Sequence, residues 1–476
     1  MLEKALRGSK GYYAWVGILL LGIVAGVAAY ANQLANGLTL TGMSRDVSWG
    51  LYISQFVFLV GVAASGVMVA IPYYLHHFKT YAKIVVIGEF MAVAAVLTAV
   101  LFIVVDLGQP MRVLNVILFP TPNSILFWDM CVLSSYLVVN LVIGWTVLGA
   151  EKKGFPPPRW THVLSIIAIP LAIGIHTVTA FLISGLAGRE YWLTAIMAAR
   201  FLASAFAALL IVLCLVLRKT ARFNVTDKAI DSLAKTVCYA MIANVFFFVL
   251  EVFTAFYSNM PGHKAPIEYL FFGLDGHAQL VPVMWLAAVL AIGGILLLLV
   301  PKLRRSHKVL VPALAAVFFA CLIDKGLGLV LGGFVPNSFE QVVEYIPNPN
   351  ELLVIVGVYS IGALAQQHDG ALRGREDALL RFARFAIGTH GFHIGHHDGE
   401  RLALAALARA QQRHRFGVRR VTHQMETAQA LHGQDLARQQ QFHGARKYGI
   451  ALLARGSPGD GSQGRVNGIG SAQCFT

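Results

Sequence analysis

The chain has 476 residues, of which 57% are hydrophobic and only 13% are charged, and its formal net charge is +14. A water-soluble domain carries about 25% charged residues, so this composition excludes an ordinary soluble enzyme. The positive charge is not interleaved with aromatic residues as on a nucleic-acid-binding surface, and we interpret it as a signal of membrane topology.

Ten apolar segments predict ten transmembrane helices. Most contain the roughly 20 residues that a hydrocarbon core of about 30 Å requires, and a segment in lipid is helical because it must satisfy its own backbone hydrogen bonds. The segments are residues 12–31, 49–75, 84–106, 124–149, 160–185, 192–217, 231–258, 280–300, 309–334 and 351–365. We therefore expect an all-α integral membrane protein with its helices in one bundle.

Basic residues alternate regularly between the connections. Of the 23 Lys and Arg before residue 366, sixteen lie at the N-terminus or in the even-numbered connections and four in the odd-numbered ones. Because positively charged connections stay on the cytoplasmic side, the pattern predicts a cytoplasmic N-terminus.

Residues 366–476 form a tail that differs in composition from the membrane domain, residues 1–365. Lys and Arg number 13 and 10 before this point and 1 and 14 after it. One interpretation is a basic, His-rich extension. The other is a shift of reading frame in a GC-rich gene, which also explains why the tenth apolar segment stops early. Resequencing near codon 365 tests the second interpretation, and we assign no function to the tail.

Ionisable residues within the apolar segments mark a functional site by default, because such groups are costly in lipid. In the predicted orientation, the outer half of the bundle contains Asp106, Asp129, His176, Arg200, Glu251, Asp324 and Lys325. The inner half offers mainly Glu89. We expect a polar cavity that opens outward.

Each of these residues also has a structural alternative. Arg200 could be neutralised by Asp129 or Glu251, and Asp324 could pair with Lys325 or with other neighbours. A histidine alone in an apolar helix, such as His176, is often a packing residue.

Motifs near the outer ends of the helices resemble a known family. "WGLYI", with Trp49 and Tyr52, begins a Gly- and Ala-rich helix, and "DLGQPMR" and "NSILFWDM" follow. With the loop "SNMPGHKAPIEYLFFG", residues 1–365 resemble the NrfD/polysulfide-reductase membrane-subunit family, and within it the DsrP-type subunits of DsrMKJOP complexes. Many relatives have Gly where this chain has Asp129.

The resemblance implies a quinone-reactive subunit of a multi-subunit oxidoreductase in the cell inner membrane. It implies a loosely bound menaquinone or menaquinol and a periplasmic ferredoxin-like iron–sulfur partner of the DsrO type. The same complex would contain a multihaem cytochrome c, a cytochrome b and cytoplasmic iron–sulfur subunits, in dissimilatory sulfur metabolism. None of the five cysteines lies in a CxxC pair, so the chain offers no iron–sulfur, zinc or c-type haem attachment motif. The resemblance likewise implies a subunit without a metal site, haem or iron–sulfur cluster of its own.

Quinol oxidation requires donors to the quinone oxygens and acceptors for the released protons. We predict His176 and Arg200 as the donors, and Asp129 and Glu251 as the proton-accepting pair.

Residues nearer the outer surface complete the predicted sites. Trp49 and Tyr52 are expected to contribute to quinone binding. Asp106, Pro110 and Arg112 are expected to form the surface on which the iron–sulfur partner docks.

Two other functions remain open. His162 and His176 lie fourteen residues apart on one helix, nearly on the same face, as in a b-type cytochrome, although a second helix with matching histidines is missing. Intramembrane charges also suit a secondary transporter, although no internal repeat supports one.

Overall fold

The computed structural model describes residues 10–76, 78–153, 157–204, 208–220 and 225–366. In these ranges the chain is a bundle of helices, and β-structure is limited to an isolated bridge between Leu274 and His277. The predicted tail, apart from its first residue, lies outside the described ranges.

The membrane-spanning helices follow the predicted order. They are α1 (Lys10–Asn36), α2 (Leu51–Tyr74), α3 (Ala82–Asp106), α4 (Ile125–Lys153), α5 (Arg159–Ser184), α6a (Ile196–Ala203), α6b (Ala208–Thr220), α7 (Asp227–Ser258), α8 (Val281–Leu299), α9 (His307–Gly332) and α10 (Pro349–Gln366). Within the described ranges, nine helices are long and apolar enough to cross a membrane. The sixth predicted segment, 192–217, contains the two shorter helices α6a and α6b. The chain is an all-α multi-pass membrane protein, as predicted.

Short helical elements occupy several connections. They are Leu38–Leu40, Lys79–Tyr81, Pro110–Leu114, Asn115–Leu118, Glu190–Trp192, Pro261–Phe271 and Pro301–Arg304. The connection after α3 thus contains two short helical elements, Pro110–Leu114 and Asn115–Leu118.

The centre of the bundle is formed by α2, α3 and α9. Most of each of these helices is buried, whereas α1, α4, α7, α8 and α10 expose most of their surface. Exposed leucine and valine side chains are suited to contact with lipid, so these peripheral helices can face the hydrocarbon core of a membrane directly. Polar residues on the central helices are therefore surrounded by protein.

A glycine contact joins α1 to α10. A Cβ atom added at Gly26 would lie 2.4 Å from the Cα of Gly357, and one added at Gly22 would lie 2.4 Å from Oγ of Ser360. Small residues permit this close approach, which strengthens van der Waals packing in lipid where no hydrophobic force operates between helices. The short tenth apolar segment thus packs as an integral helix.

Glu351, near the start of α10, caps a different helix. Its buried carboxylate accepts hydrogen bonds from the backbone N–H of Gly42 at 2.9 Å and of Leu51, the first residue of α2, at 3.3 Å. The Tyr345 hydroxyl also donates to it. Because the first N–H groups of a helix lack intrahelical partners and carry partial positive charge, the carboxylate stabilises the start of α2.

Two central helices contain irregular turns. In α2, residues Ala64–Gly66 form a 3₁₀ turn, and in α9 residues Leu322–Gly328 form a π-helical turn. A π-helical turn changes which side chains share a helix face and is frequent at functional sites. The turn in α9 contains Asp324 and Lys325.

Candidate functional site

Three helices bring one cation and two carboxylates together, in the half of the bundle predicted to face outward. Arg200 of α6a bonds to Glu251 of α7, and its Nη2 lies 3.0 Å from both carboxylate oxygens of Asp324 in α9. The side chains are 5%, 13% and 20% exposed, respectively. We call these three residues the ion cluster.

The ion cluster leaves hydrogen-bonding capacity unused. Among the described residues, neither Nε of Arg200 nor Oε1 of Glu251 has a hydrogen-bond partner, although both atoms are buried. Buried polar atoms are normally satisfied, so an unpaired donor and an unpaired acceptor within one ion-paired group indicate a place for a polar ligand or water.

Aromatic side chains support the ion cluster. The Arg200 guanidinium lies 5.0 Å from the centre of the Phe248 ring, and Tyr191 is within hydrogen-bonding reach of Arg200. Burial raises the pKa of the Tyr191 hydroxyl far above its usual value, so this group remains a hydrogen-bond donor at neutral pH. Tyr191 was not predicted, because it lies in a short connection and carries no charge.

Asp324 and Lys325 do not pair with each other but have separate partners. Asp324 bonds to Arg200, whereas Nζ of Lys325 donates to the Phe201 carbonyl at 3.2 Å and lies 4.2 Å from the Phe201 ring centre. The structure therefore selects the alternative in which each residue pairs with neighbours.

His176 is fully buried in α5, and neither ring nitrogen has a hydrogen-bond partner among the described residues. Its ring is within Coulombic range of Lys325, which in turn is within range of Arg200. An imidazole contains one donor and one acceptor when neutral, so His176 has two unused hydrogen-bonding positions.

Asp129 has a partner other than Arg200. Its Oδ1 accepts a hydrogen bond from the Thr179 hydroxyl at 2.6 Å, one turn along α5 from His176. Two carboxylates, Asp129 and Glu251, were considered as partners that neutralise Arg200. In the structure Arg200 forms ion pairs with Glu251 and with Asp324.

Trp49 and Tyr52, both expected to contribute to quinone binding, have different neighbours. Trp49 stacks on Trp192, with ring centres 5.5 Å apart, and contacts Phe334 edge-on. Tyr52 is fully buried and donates to Oε1 of Gln33 at 2.7 Å. Nothing in the structure tests their predicted roles in quinone binding, which remain predictions.

The predicted docking residues differ in exposure. Arg112 is exposed and Pro110 is half-buried, whereas Oδ1 of Asp106 is buried without a hydrogen-bond partner among the described residues. No ion pair joins Asp106 to Arg112 in the described part of the chain, so they do not hold this connection together by charge.

The two histidines of the cytochrome alternative have different surroundings. His162 is exposed and its ring lies 5.3 Å from that of Tyr74, whereas His176 is enclosed. Within the described ranges, no three or more His, Cys, Asp or Glu side chains are grouped to hold a metal ion.

Comparison with known proteins identifies relatives over most of the membrane domain. The family model "Polysulphide reductase, NrfD" matches residues 39–332, which is more than half of the chain. A Halobacterium salinarum protein, named as a membrane subunit of dimethyl sulfoxide reductase, is 26% identical over 74% of this chain and 88% of its own length.

Two further relatives have related names. The Hdr-like menaquinol oxidoreductase integral membrane subunit of Archaeoglobus fulgidus is 23% identical over 75% of this chain and 92% of its own length. A Mesobacillus selenatarsenatis protein, named as a subunit of selenate reductase, is 24% identical over 43% of this chain and 54% of its own length. All three names describe subunits of reductases or oxidoreductases.

Proposed function

The chain belongs to the polysulphide reductase NrfD family, and we propose that it is the quinone-reactive membrane subunit of a respiratory oxidoreductase. We propose menaquinol as the substrate, because the Archaeoglobus relative is named as a menaquinol oxidoreductase subunit. The observation that carries the proposal is the set of unpaired buried polar atoms in the ion cluster and in His176.

The unpaired atoms fit the chemistry of a quinone headgroup. A quinone presents two carbonyl oxygens that accept hydrogen bonds, and a quinol presents two hydroxyls that donate them. Nε of Arg200 and a ring nitrogen of His176 are donors, and Oε1 of Glu251 is an acceptor. These are three of the residues predicted from the sequence.

In this proposal, each residue of the chain has one task. A bound quinol supplies two electrons and two protons. Oε1 of Glu251 accepts a proton, Arg200 orients the headgroup while Asp324 holds its guanidinium in place, and His176 hydrogen-bonds the second oxygen. Asp129, fixed by Thr179, is the second proton acceptor.

The partner subunits belong to the same proposal. The relatives are named as subunits of larger enzymes, so we propose that the electrons leave to another protein, a periplasmic iron–sulfur subunit. The connection with exposed Arg112 and Met111 is its proposed docking surface. A complex of the DsrMKJOP type, in sulfur metabolism and in the inner membrane, is the proposed setting.

A binding titration tests the quinone site. All seven tryptophans precede the tail. We expect a menaquinol analogue to quench the fluorescence of the full-length protein in detergent saturably. His176→Ala should weaken binding roughly tenfold, since losing a hydrogen bond in a buried site costs about 1–3 kcal/mol. His307→Ala, at a half-exposed histidine of the inner end, is the matched control.

The same sample distinguishes the alternative functions. Quenching that does not saturate would overturn the quinone site and favour a transporter or a structural anchor. A b-type band in the reduced-minus-oxidised spectrum would favour the cytochrome.

A further inference from the structure

The connection between α9 and α10, predicted to face outward, contains a closed turn at residues 337–341, which we call the tip. The backbone N–H of Asn337 donates to the Gln341 carbonyl at 2.9 Å, and that of Glu340 donates to the Asn337 carbonyl at 3.0 Å. Oδ1 of the buried Asn337 side chain accepts hydrogen bonds from the N–H groups of Phe339 and Gln341, both at 2.9 Å. These bonds within the tip fix its backbone.

Two other connections hold the tip in place. Nδ2 of Asn337 donates to Oδ1 of Asp46, in the connection between α1 and α2, at 3.2 Å. Arg189, in the connection between α5 and α6a, donates to the Asp46 carbonyl at 3.5 Å and to the Phe334 carbonyl at 3.4 Å. Its guanidinium also lies 4.6 Å from the centre of the Phe334 ring. Contacts among three connections therefore set the position of the tip.

The tip presents an aromatic ring among polar groups. Phe339 is 67% exposed, and the guanidinium of the exposed Arg45 lies 6.0 Å from the centre of its ring. The other exposed residues of the tip are Ser338, Glu340 and Gln341. A ring surrounded by charged and polar side chains is poorly suited to lipid, where ionisable groups are costly. The tip therefore fits the surface of another protein better than it fits the membrane.

The backbone of Glu340 is left-handed, with a φ of 59°. Residues other than glycine adopt this conformation only where the surrounding structure holds it, and such residues cluster at functional sites. Here the hydrogen bonds of the tip hold it. An aromatic side chain on a backbone that is already fixed loses little conformational freedom on binding, as is typical of the residues that dominate the energy of an interface.

A short chain of contacts leads from the tip to the ion cluster. Phe334, which precedes the tip in the chain, meets the Trp192 ring edge-on with ring centres 5.2 Å apart. A Cβ atom added at Gly333 would lie 2.0 Å from Cε2 of Trp192, so the end of α9 packs directly on this indole. Tyr191, the neighbour of Trp192 in the chain, is within hydrogen-bonding reach of Arg200. A protein bound at the tip is thus connected to the proposed quinone site through a few packed residues.

The connection between α1 and α2, residues 37–50, contacts both the tip and the connection after α3. Arg45 and Asp46 contact the tip, as described above. At the other end, a Cβ atom added at Gly108 would lie 3.4 Å from Cδ1 of Leu38. The tip is therefore joined, through residues 37–50, to the surface already proposed for docking.

The charge of this connection indicates the chemistry of a partner. Residues 335–350 contain two glutamates and no Lys or Arg. Glu344 is engaged within the chain, because Oε1 accepts from the N–H of Gln279 at 3.0 Å and Oε2 lies 3.2 Å from Nδ1 of His277. Glu340 is the acidic residue that the tip exposes. A basic residue on the facing surface would complement it.

We propose that Phe339 anchors the electron-accepting protein, by inserting into an apolar recess whose rim is basic opposite Glu340 and acidic opposite Arg45. This inference rests on the proposed function, because it assigns the contact that holds the accepting subunit next to the quinone site.

Retention of the partner by a tagged full-length chain tests the anchor. The whole complex is purified through the tag and diluted in steps, and quantitative mass spectrometry gives the ratio of the iron–sulfur subunit to this chain. We expect Phe339→Ala to raise the concentration at which half of that subunit dissociates roughly tenfold or more. Glu340→Lys should raise it too, and less at high salt, because it sets like charges opposite each other.

Phe272→Ala is the matched control. Phe272 is 70% exposed and follows the helix Pro261–Phe271, in a different connection on the side predicted to face outward. This variant should retain the iron–sulfur subunit as the wild type does. Phe339→Ala should also keep the saturable quenching by the menaquinol analogue, which shows that its fold and its quinone site are intact.

Equal retention in Phe339→Ala and the wild type would overturn the anchor, and is the result expected if lipid or a second copy of this chain covers the tip. Equal loss in Phe272→Ala and Phe339→Ala would overturn it as well. Failure of the proposed function is a separate result. A wild-type chain that shows no saturable quenching lacks the quinone site, whereas retention of the iron–sulfur subunit still tests the anchor. A wild-type chain that retains no iron–sulfur subunit overturns the partner and the anchor together.

Discussion

Arg200 and Asp324 meet in a forked hydrogen bond, with Nη2 of Arg200 3.0 Å from each carboxylate oxygen of Asp324. A second nitrogen of the same guanidinium bonds to Glu251. A planar guanidinium can serve two carboxylates at once, whereas a lysine ammonium offers a point charge without this geometry. The ion cluster therefore depends on arginine specifically.

Arg200→Lys is expected to destabilise the protein. Lysine keeps the positive charge but cannot pair with Glu251 and Asp324 in the same geometry, so one buried carboxylate loses its partner, which costs about 3–5 kcal/mol. Thermal unfolding of the full-length protein in detergent measures the effect. The control is Arg305→Lys, because Arg305 is 70% exposed and lies 3.6 Å from Asp231. A surface pair of this kind contributes about 0–1 kcal/mol. Equal melting temperatures for the two variants would contradict the prediction.

Glu251→Gln is expected to slow quinol oxidation by the intact complex roughly a hundredfold, because it removes a proton acceptor. Asp324→Asn should slow it less, since both oxygens of Asp324 are engaged with Arg200. Steady-state rates over a range of quinol concentrations separate kcat from KM, and the effect of Glu251→Gln should lie mainly in kcat. An unchanged rate in Glu251→Gln would remove this residue from the mechanism.

Gly26→Val is expected to weaken the contact between α1 and α10. An added Cβ would lie 2.4 Å from the Cα of Gly357, and overpacking of this kind costs about 1–3 kcal/mol. Gly17→Val is the matched control in the same helix, because a Cβ there meets nothing within 4 Å. A lower melting temperature in detergent for Gly26→Val alone is the expected result. If both variants melt alike, the glycine contact does not stabilise the bundle.

We expect the folded protein to lose stability at alkaline pH because of the buried hydroxyl of Tyr345. Burial, followed by the negative charge of Glu351, raises the pKa of its hydroxyl far above the usual value of about 10. The folded state therefore keeps a proton that the unfolded chain releases, so stability is full below about pH 10 and falls as the pH rises further. Melting temperatures between neutral pH and about pH 11 should fall less steeply in Tyr345→Phe than in the wild type.

Tyr257→Phe is the control for this pH dependence, because it removes a hydroxyl from an 81% exposed side chain. Its melting temperatures should follow the wild type at each pH. Parallel curves for Tyr345→Phe and the wild type would show that the buried hydroxyl does not carry the effect.

The order of the helices could be predicted from the sequence, because the length of an apolar run responds directly to the thickness of the bilayer. Ten spans were predicted, and the described ranges contain nine helices long enough to cross a membrane, since the sixth segment holds two shorter helices. The predicted depths in the membrane also placed Arg200 and Glu251 at the same level, and the two side chains form a hydrogen bond. The partner of Asp129 could not be predicted, because depth does not determine which face of a helix meets which neighbour. Asp129 meets Thr179, a residue without charge.

Features that depend on local irregularity or on uncharged groups were also missed. A regular helix does not predict the π-helical turn that separates the partners of Asp324 and Lys325. Tyr74 and Tyr136 are indistinguishable from packing residues until their hydroxyls have partners, which are Glu89 and the Ala63 carbonyl. Glu351 was not predicted to have a structural role, because its hydrogen-bond donors are backbone N–H groups that lie far away in the sequence.

The last helix has a consequence for the order in which the chain assembles during synthesis. α10 provides both Gly357, against which the first helix packs, and Glu351, which caps the second. Helices α1 and α2, which leave the ribosome early, therefore complete these contacts only after α10 has been synthesised. A frameshift beyond codon 366 leaves both contacts intact. A frameshift before codon 351 would remove Glu351 and Gly357, so that α1 and α2 would lose these two contacts.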